Sequence, residues 1–187
     1  MFKLEELDRR FSLLRRADRV LDVGAAPGSW SQFAHKRVGT SGLIVAVDLS
    51  ELPGLDGTEG IRTIVGDVFS DDVLAAIAES APFDAIISDA APNTTGNRGV
   101  DTARSAALVE HVLALCGSML RPGGNMVAKV FQGGDEQGLL AAARSGFATA
   151  RLVKPAASRS ESFETFLVGT GYRGAEGPPS APEAADQ

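Results

Sequence analysis

Hydrophobic residues fall into two recurring patterns along this chain, one typical of helices and one typical of buried strands. Residues 3–14 carry apolar side chains at Leu4, Leu7, Phe11 and Leu14, the spacing of an amphipathic helix that packs on a sheet. Short continuous apolar runs bounded by glycine, proline or acidic residues indicate strands that are buried on both faces. The predicted strands are residues 19–23, 42–48, 61–65, 83–89, 125–131, 149–153 and 164–169, and the further predicted helices are residues 29–37, 71–78, 103–120 and 137–145.

Strands and helices alternate through most of the chain, and this order predicts an α/β fold. Strands joined by helices run parallel, so the first five strands should form a parallel sheet with helices on both faces. Only a short polar loop separates the last two strands, so they should form an antiparallel pair at one edge. The sequence therefore predicts a Rossmann-like, mostly parallel seven-stranded sheet in a single domain over residues 1–171, followed by a disordered tail at 172–187 rich in Pro, Ala, Gly and Glu.

Three successive predicted strands end in an acid, at Asp48, Asp67 and Asp89. Ligands of open α/β sheets bind outside the carboxyl ends of the strands, so one cleft should collect all three carboxylates. Residues 90–102 follow the third of these acids and are polar and glycine-rich. We expect this segment to form a mobile loop that walls a substrate site.

A glycine-containing turn follows the first strand, with Gly24 and Gly28 before a predicted helix. Glycines permit a sharp turn and a close ligand approach, which favours a nucleotide-like cofactor over an ordinary connection between strand and helix. The third glycine of the dinucleotide fingerprint is missing, so NAD fits poorly. An adenosine cofactor without a pyrophosphate, S-adenosylmethionine, fits better, and Asp48 is placed to bind its ribose hydroxyls.

Lys129 interrupts the apolar run of the fifth predicted strand. Lysines are rarely buried unless they are paired, although one at a sheet edge can extend its amine to solvent. Its position near the carboxyl end of the strand places its amine beside the cleft that contains Asp89. We therefore interpret Lys129 as a functional residue.

Composition limits the remaining possibilities. The net charge of −6 argues against a broad electrostatic grip on nucleic acid, although arginines and lysines near both ends could form a local basic face or simply a solvated one. No apolar stretch is long enough to span a bilayer and no signal peptide is evident, so we expect a cytoplasmic protein. Cys116 is predicted to pack in the core, no metal site is expected, and neither His35 nor His111 is assigned a role. The basic residues considered are Arg9, Arg10, Arg15, Arg16, Arg19, Arg151, Lys154 and Arg159.

Four segments resemble the FtsJ/RrmJ (RlmE) family of ribosomal RNA 2′-O-methyltransferases. They are DVGAAPGSWSQ at 22–32, SDAAPN at 88–93, KVFQG at 129–133 and SRSESFE at 158–164, and the resemblance extends from residue 2 to about residue 171. The resemblance implies the class I methyltransferase fold and S-adenosylmethionine as the cofactor. It also implies that the substrate is a uridine in the large-subunit (23S) ribosomal RNA. The implied catalytic tetrad is Lys3, Asp89, Lys129 and Glu164, and the implied cofactor contacts are Gly28, Trp30, Asp48, Asp67 and Asp89.

The sequence departs from the family pattern in two respects. Only two residues precede Lys3, where family members usually carry a basic extension, and the chain as a whole is acidic. Glu161 competes with Glu164 for the tetrad glutamate, but Glu164 directly precedes the final apolar strand, as in the family. We expect a monomer that acts on ribosomal RNA in the large ribosomal subunit, without a membrane or a metal.

Methyl transfer to a hydroxyl requires that the oxygen be aligned and that its proton be removed. Lysine ordinarily has a pKa of about 10.4, so Lys129 can act as a base only if the charge of Lys3, a sulfonium and partial burial favour its neutral form. In an alternative mechanism, Lys129 stays charged and only orients the hydroxyl.

Two other functions of the protein stay open. It could methylate another substrate, or it could be a non-catalytic module that binds the cofactor and RNA.

Overall fold

The computed structural model describes residues 2–156 and 162–174. The predicted tail beyond residue 174, Arg159 and the competing Glu161 therefore lie outside the described residues. In chain order the elements are α1 (Phe2–Phe11), β1 (Arg19–Val23), α2 (Ser29–Val38), β2 (Leu43–Asp48), β3 (Ile61–Val65), α3 (Asp71–Ala78), β4 (Phe83–Ser88), α4 (Arg98–Met119), β5 (Leu120–Phe131), α5 (Glu136–Gly146), β6 (Phe147–Val153) and β7 (Glu164–Tyr172).

The seven strands form one sheet in the order β3-β2-β1-β4-β5-β7-β6. Strands β1 to β5 pair in parallel, as the alternating pattern predicts. The antiparallel pair β6 and β7 is confirmed at the predicted edge. β7 lies between β5 and β6 and runs antiparallel to both.

Helices cover both faces of the sheet, as predicted. α3, α4 and α5 pack on one face through residues such as Ile77, Val112 and Leu139. α1 and α2 pack on the other face, where Leu4, Leu7 and Ala34 belong to one buried cluster that also contains Val127 of β5 and Phe166 of β7. Because these contacts bury apolar side chains on both sides, the carboxyl ends of the strands are held in a fixed frame.

The first helix is shorter than predicted and ends at Phe11 instead of Leu14. Ser12 has a φ of 53°, which ends the helical geometry, and the buried Asp8 carboxylate accepts a hydrogen bond from the Leu14 backbone N–H at 2.9 Å. The predicted apolar stripe is nonetheless directed inward, because Leu4, Leu7 and Leu14 are buried. A local side-chain hydrogen bond has replaced the last helical turn.

The loop predicted over residues 90–102 is also shorter, because α4 begins at Arg98. The Asn97 side chain caps this helix by accepting hydrogen bonds from the Gly99 and Val100 backbone N–H groups. Asp101 then accepts bonds from Thr95 and Gly96, which ties the preceding loop to the first helical turn. An asparagine cap therefore begins a helix within a glycine-rich segment that reads as a loop.

Three of the last strand boundaries differ from the prediction. β5 begins at Leu120 and β6 begins at Phe147, whereas the sequence predicts that these strands begin at residues 125 and 149. β7 continues through Tyr172, which the sequence assigns to the tail but which is buried with its ring against Phe147. Arg173 follows it and donates hydrogen bonds to the last carbonyls of α5, so the packed region extends past residue 171.

Cys116 is buried in the α4 core, as predicted, and burial raises the pKa of its thiol. Among the described residues, no three histidine, cysteine, aspartate or glutamate side chains are grouped as metal ligands. No helix in the described part of the chain is both long and apolar enough to cross a membrane.

Candidate active site

Four charged side chains from distant parts of the sequence converge beyond the sheet. Lys129 Nζ lies 3.2 Å from Asp89 Oδ1 and 3.7 Å from Glu164 Oε1. The other oxygen of Glu164 accepts a hydrogen bond of 2.6 Å from Lys3 Nζ. The residues predicted as a tetrad thus form one continuous cluster in which two positive charges alternate with two negative charges.

The pairing of β5 with β7 places two members of this cluster. Lys129 is opposite Phe166 in the register, and Phe131 is opposite Glu164. Because side chains on a strand alternate between faces, Lys129 and Glu164 project from the same face of the sheet. That face is the one covered by α1, which contributes Lys3.

The position of Lys3 depends on how α1 is docked. Leu4 and Leu7 are fully buried, and the buried Asp8 carboxylate forms an ion pair of 2.7 Å with Arg37 of α2. Apolar burial and this pair hold the helix, so its first turn presents Lys3 to Glu164. The Lys3 ammonium also lies 5.8 Å from the centroid of the Phe166 ring.

Burial and nearby positive charge shift the pKa of the Glu164 carboxyl in opposite directions. Burial raises the pKa of this carboxyl, but the hydrogen bond from Lys3 and the nearby charge of Lys129 outweigh it, so the pKa lies below its ordinary value. Glu164 is therefore ionised at neutral pH. Lys129 is only 8% exposed, and its contact with Asp89 Oδ1 is an ion pair without hydrogen-bond geometry.

A cavity of about 630 Å³ opens at the carboxyl ends of β1 to β4. Four predicted cofactor residues border it, namely Gly24, Asp48, Asp67 and Asp89. This confirms that the acids after three successive strands share one cleft. The cavity is also bordered by residues 90–93 of the segment predicted to wall a substrate site. Further lining residues were not singled out from the sequence, among them Leu49, Val68, Phe69 and Arg104.

Gly24 shapes the floor of this cavity. Its φ is 73°, and a Cβ at this position would lie 2.6 Å from the Cα and Cβ of Ala90. Only glycine fits there without moving the backbone that follows β4. Asp48 fixes the same turn, because its Oδ2 accepts a hydrogen bond of 2.9 Å from the Ala26 backbone N–H.

Gly28 and Trp30 do not border the cavity. Gly28 has a φ of 102° at the start of α2, where a Cβ would lie 3.1 Å from Leu55 Cγ. Trp30 is 3% exposed and its ring stacks on Phe166 at 5.8 Å between centroids. Both residues support the turn and the core, and a contact of either one with the cofactor stays a prediction.

The FtsJ-like methyltransferase family matches residues 1–172. The chain belongs to this family. Ribosomal RNA large subunit methyltransferase E of Treponema denticola is 45% identical over 174 residues, which cover 93% of this chain and 87% of that protein. The protein of the same name from Syntrophobacter fumaroxidans is 44% identical and covers 92% of this chain and 88% of its own length.

Solved structures share the fold of this FtsJ-like methyltransferase. A Plasmodium falciparum protein described as a ribosomal RNA methyltransferase matches with a TM-score of 0.78 and 25% identity, over 91% of this chain and 95% of that one. Human methyltransferase-like protein 13, in complex with SAH, matches with a TM-score of 0.68 and 18% identity, over 98% and 85% of the two chains. The second likeness concerns the fold alone.

Val68 and Phe69 form a wall of the cavity that sequence reasoning missed. His111 of α4 lies with Nε2 2.9 Å from the Val68 carbonyl oxygen, and its ring lies 4.2 Å from the ring of Phe69. Asp67 accepts a hydrogen bond from the Phe69 backbone N–H, so this segment is held from both sides. The available sequence signal was an aromatic residue, Phe69, two positions after the acid Asp67 that follows β3.

Arginines near the start of the chain of this FtsJ-like methyltransferase are divided between two regions. Arg19 donates hydrogen bonds to the Ser80 carbonyl oxygen at the amino end of the sheet, far from Asp89. Arg10 instead lies on α1, where it forms an ion pair with Glu6. Glu6 also accepts a hydrogen bond from the Ala156 backbone N–H, so α1 lies beside the segment that contains Lys154. A local basic face stays a prediction, and Arg10 and Lys154 are its best-placed members.

A second missed residue is Asp22, inside β1 and completely buried. Its Oδ2 accepts a hydrogen bond of 2.6 Å from Ser31 Oγ, whereas its buried Oδ1 has no hydrogen-bond partner. Burial, together with the charges of Asp89 and Asp48, raises its pKa from 3.8 to about 7. An acid within an otherwise apolar run was the available sequence signal.

We expect Asp22→Asn to remove a pH dependence of stability. The folded protein holds the Asp22 proton more tightly than the unfolded chain, so this contribution is complete below pH 3.8 and is lost as the pH rises through about 7. Urea unfolding of the cofactor-free protein between pH 5 and pH 8 should show the Asn variant gaining stability relative to the parent as the pH rises. Asp71→Asn, on the exposed first turn of α3, is the control. Equal pH profiles for the parent and Asp22→Asn would contradict the assignment.

Proposed function

We propose that this FtsJ-like methyltransferase transfers a methyl group from S-adenosylmethionine to the ribose 2′-hydroxyl of a uridine in 23S ribosomal RNA of the large ribosomal subunit. One observation carries the proposal: Asp89 borders the cavity and also contacts Lys129 at 3.2 Å. A cavity for a methyl donor and a cluster able to bind a hydroxyl thus share a residue. The RNA substrate is supported by the names of the relatives, and the uridine and its 2′-hydroxyl are supported by the family resemblance of the motifs.

The residues around the cavity fit S-adenosylmethionine. Gly24 lets the backbone at Ala90 pack closely against the floor of the cavity, because a Cβ at Gly24 would clash with Ala90. Asp48 would hold the ribose hydroxyls, and Asp67 with the neighbouring Val68 and Phe69 would hold the adenine. Asp89 lies between this cavity and Lys129, so it would meet the methionine end.

When bound, S-adenosylmethionine supplies an electrophilic methyl group on a sulfonium. The cluster positions the substrate hydroxyl in line with that methyl group. Lys129 Nζ, in its neutral form, would accept the proton that the hydroxyl releases, while the cofactor gives up its methyl group and leaves as the thioether S-adenosylhomocysteine. Lys3 and Glu164 orient the hydroxyl, and Asp89 and Glu164 hold Lys129 in place.

Opposite charges hold the side chains of the cluster in position. Glu164 is ionised and accepts from Lys3, so two lysines and two carboxylates balance one another. Lys129 is buried while Asp89, Glu164 and Lys3 are partly exposed, which leaves an opening for a ribose. Partial burial strengthens these interactions compared with water.

A cytoplasmic location and a monomeric state are part of the proposal. The proposed location rests on the ribosomal RNA methyltransferase names of the relatives, and the described residues include no helix that could span a membrane. The single domain over residues 1–171 also stays a proposal, with the qualification that β7 continues to Tyr172.

Methyl transfer from labelled S-adenosylmethionine tests the substrate class. We expect label in the RNA of unmodified large ribosomal subunits, and little in bulk protein. Free ribosomal RNA is a parallel sample, and its labelling relative to the subunit identifies the preferred assembly state. Label confined to protein or to small molecules would refute the proposal, and cofactor binding without any transfer would indicate a non-catalytic module.

A further inference from the structure

A small aromatic and cationic cluster lies beside the catalytic residues and has no part in the reaction described above. Phe163 is 38% exposed and its ring contacts the buried Phe131 edge to face, at 4.7 Å between centroids. The Arg98 guanidinium lies over the Phe163 ring, 5.8 Å from its centroid. The pair presents a flat aromatic ring and a positive charge together at the surface, next to the catalytic cluster.

Backbone contacts hold this cluster in place. The Gln132 N–H donates a hydrogen bond of 2.7 Å to the Phe163 carbonyl oxygen. The same Gln132 residue accepts a weak hydrogen bond from Arg98 through its own carbonyl oxygen, at 3.5 Å. Arg98 is the first residue of α4, and the Asn97 cap fixes the start of that helix.

The cluster borders the reacting groups directly. Phe163 immediately precedes Glu164, and Phe131 is the cross-strand partner of Glu164. Phe131 and Lys129 are two residues apart on β5 and therefore share a face of the strand. A ribose whose hydroxyl meets Lys129 would have its base or the neighbouring nucleotide within reach of Phe163.

We propose that Phe163 and Arg98 form a nucleobase subsite for the RNA strand that flanks the reacting ribose. Proteins bind single-stranded RNA by stacking bases on aromatic rings and arginine planes, and arginine also neutralises phosphates. This pair therefore supplies positive charge at the site in a chain whose net charge is −6. The inference rests on the proposed function, because it assumes an RNA strand at the catalytic cluster.

Kinetics with unmodified large ribosomal subunits test the subsite. Phe163→Ala should raise the half-saturating subunit concentration about tenfold, the effect of losing one stacked base, while the affinity for SAH stays unchanged. Phe163→Tyr retains the ring and should behave like the parent, whereas Phe163→Leu retains only apolar bulk and should resemble Phe163→Ala. Arg98→Ala should also raise the half-saturating subunit concentration. Its control is Arg62→Ala, which removes an arginine on the far edge strand, where it pairs with Glu79.

Fluorescence gives a readout that a merely structural role would not change. Phe163→Trp places an indole at the subsite, and stacking on a base should quench its emission when subunits are added. Trp30 is buried and supplies the background, which is measured in the parent. Adding Arg98→Ala to this variant should weaken the quenching.

The outcomes separate the subsite from the proposed function. A parent that methylates subunits, with Phe163→Ala or Phe163→Leu reaching half-saturation at the parental concentration, would overturn the subsite alone. Unquenched Phe163→Trp emission at saturating subunits would do the same. A folded parent that binds SAH but labels no RNA would overturn the proposed function.

Discussion

Replacing Lys129 with methionine should slow methyl transfer by about a hundredfold to ten-thousandfold, the range for losing a general acid–base group. Methionine fills the space of the side chain without an amine, so the packing of a residue only 8% exposed is disturbed little. Cofactor affinity should stay near the parental value, because the cavity residues Asp48 and Asp67 are untouched. Single-turnover methylation of large subunits isolates the chemical step from product release.

Lys129→Arg distinguishes the two roles that this lysine can have. A guanidinium keeps the positive charge but does not release a proton in this pH range. A base role predicts that Lys129→Arg loses activity at every pH, whereas a purely orienting role predicts partial rescue. Lys36→Ala, an exposed lysine of α2, is the matched control. A parental rate in Lys129→Met would remove Lys129 from the reaction.

The second large effect is expected at Asp48. Asp48→Ala should weaken cofactor binding by about 1–3 kcal/mol, because ribose hydroxyls lose a charged acceptor and the Ala26 N–H loses its partner. This corresponds to a dissociation constant about 5 to 150 times higher, measured by titration calorimetry with SAH.

Two further variants separate the causes at Asp48. Asp48→Asn retains one oxygen for the Ala26 N–H, so it should preserve that hydrogen bond while it loses the charge and the second acceptor, which binds the Ser50 N–H. Glu51→Ala removes an exposed acid three residues away that does not border the cavity, and its affinity should be parental. An unchanged dissociation constant in Asp48→Ala would exclude this residue from the cofactor site.

The sheet was predictable because its strands are apolar runs, and parallel pairing follows from the intervening helices. The clustered acids were predictable for the same reason, since the carboxyl ends of parallel strands meet at one edge. Lys129 was recognisable as a charged residue inside a buried strand. These inferences depend on local pattern and on general rules of topology.

Other features depend on particular side-chain hydrogen bonds or on contacts between distant segments. The start of α4 at Arg98 depends on the Asn97 cap, and the early end of α1 depends on Asp8 binding the Leu14 N–H. His111 reaches Val68 from a helix 43 positions further along the chain, so no local pattern reveals it. Side-chain hydrogen bonds and long-range contacts override local preference in these cases.

Trp30 combines a predicted cofactor contact with an observed packing role. Its ring is buried against Phe166, and the contact that the family resemblance implies stays a prediction. Phe166 is itself the cross-strand partner of Lys129. Trp30 therefore supports the strand that carries the catalytic cluster, and this role depends on packing that the motif alone does not specify.

The site of methylation tests the central claim most directly. Unmodified large subunits are incubated with the enzyme and methyl-labelled S-adenosylmethionine, and the extracted RNA is then digested with alkali. A methylated 2′-oxygen cannot attack the adjacent phosphate, so our account predicts label in an alkali-resistant dinucleotide, and no such label with Lys129→Met. Label released in mononucleotides, which indicates methylation of a base, would contradict it.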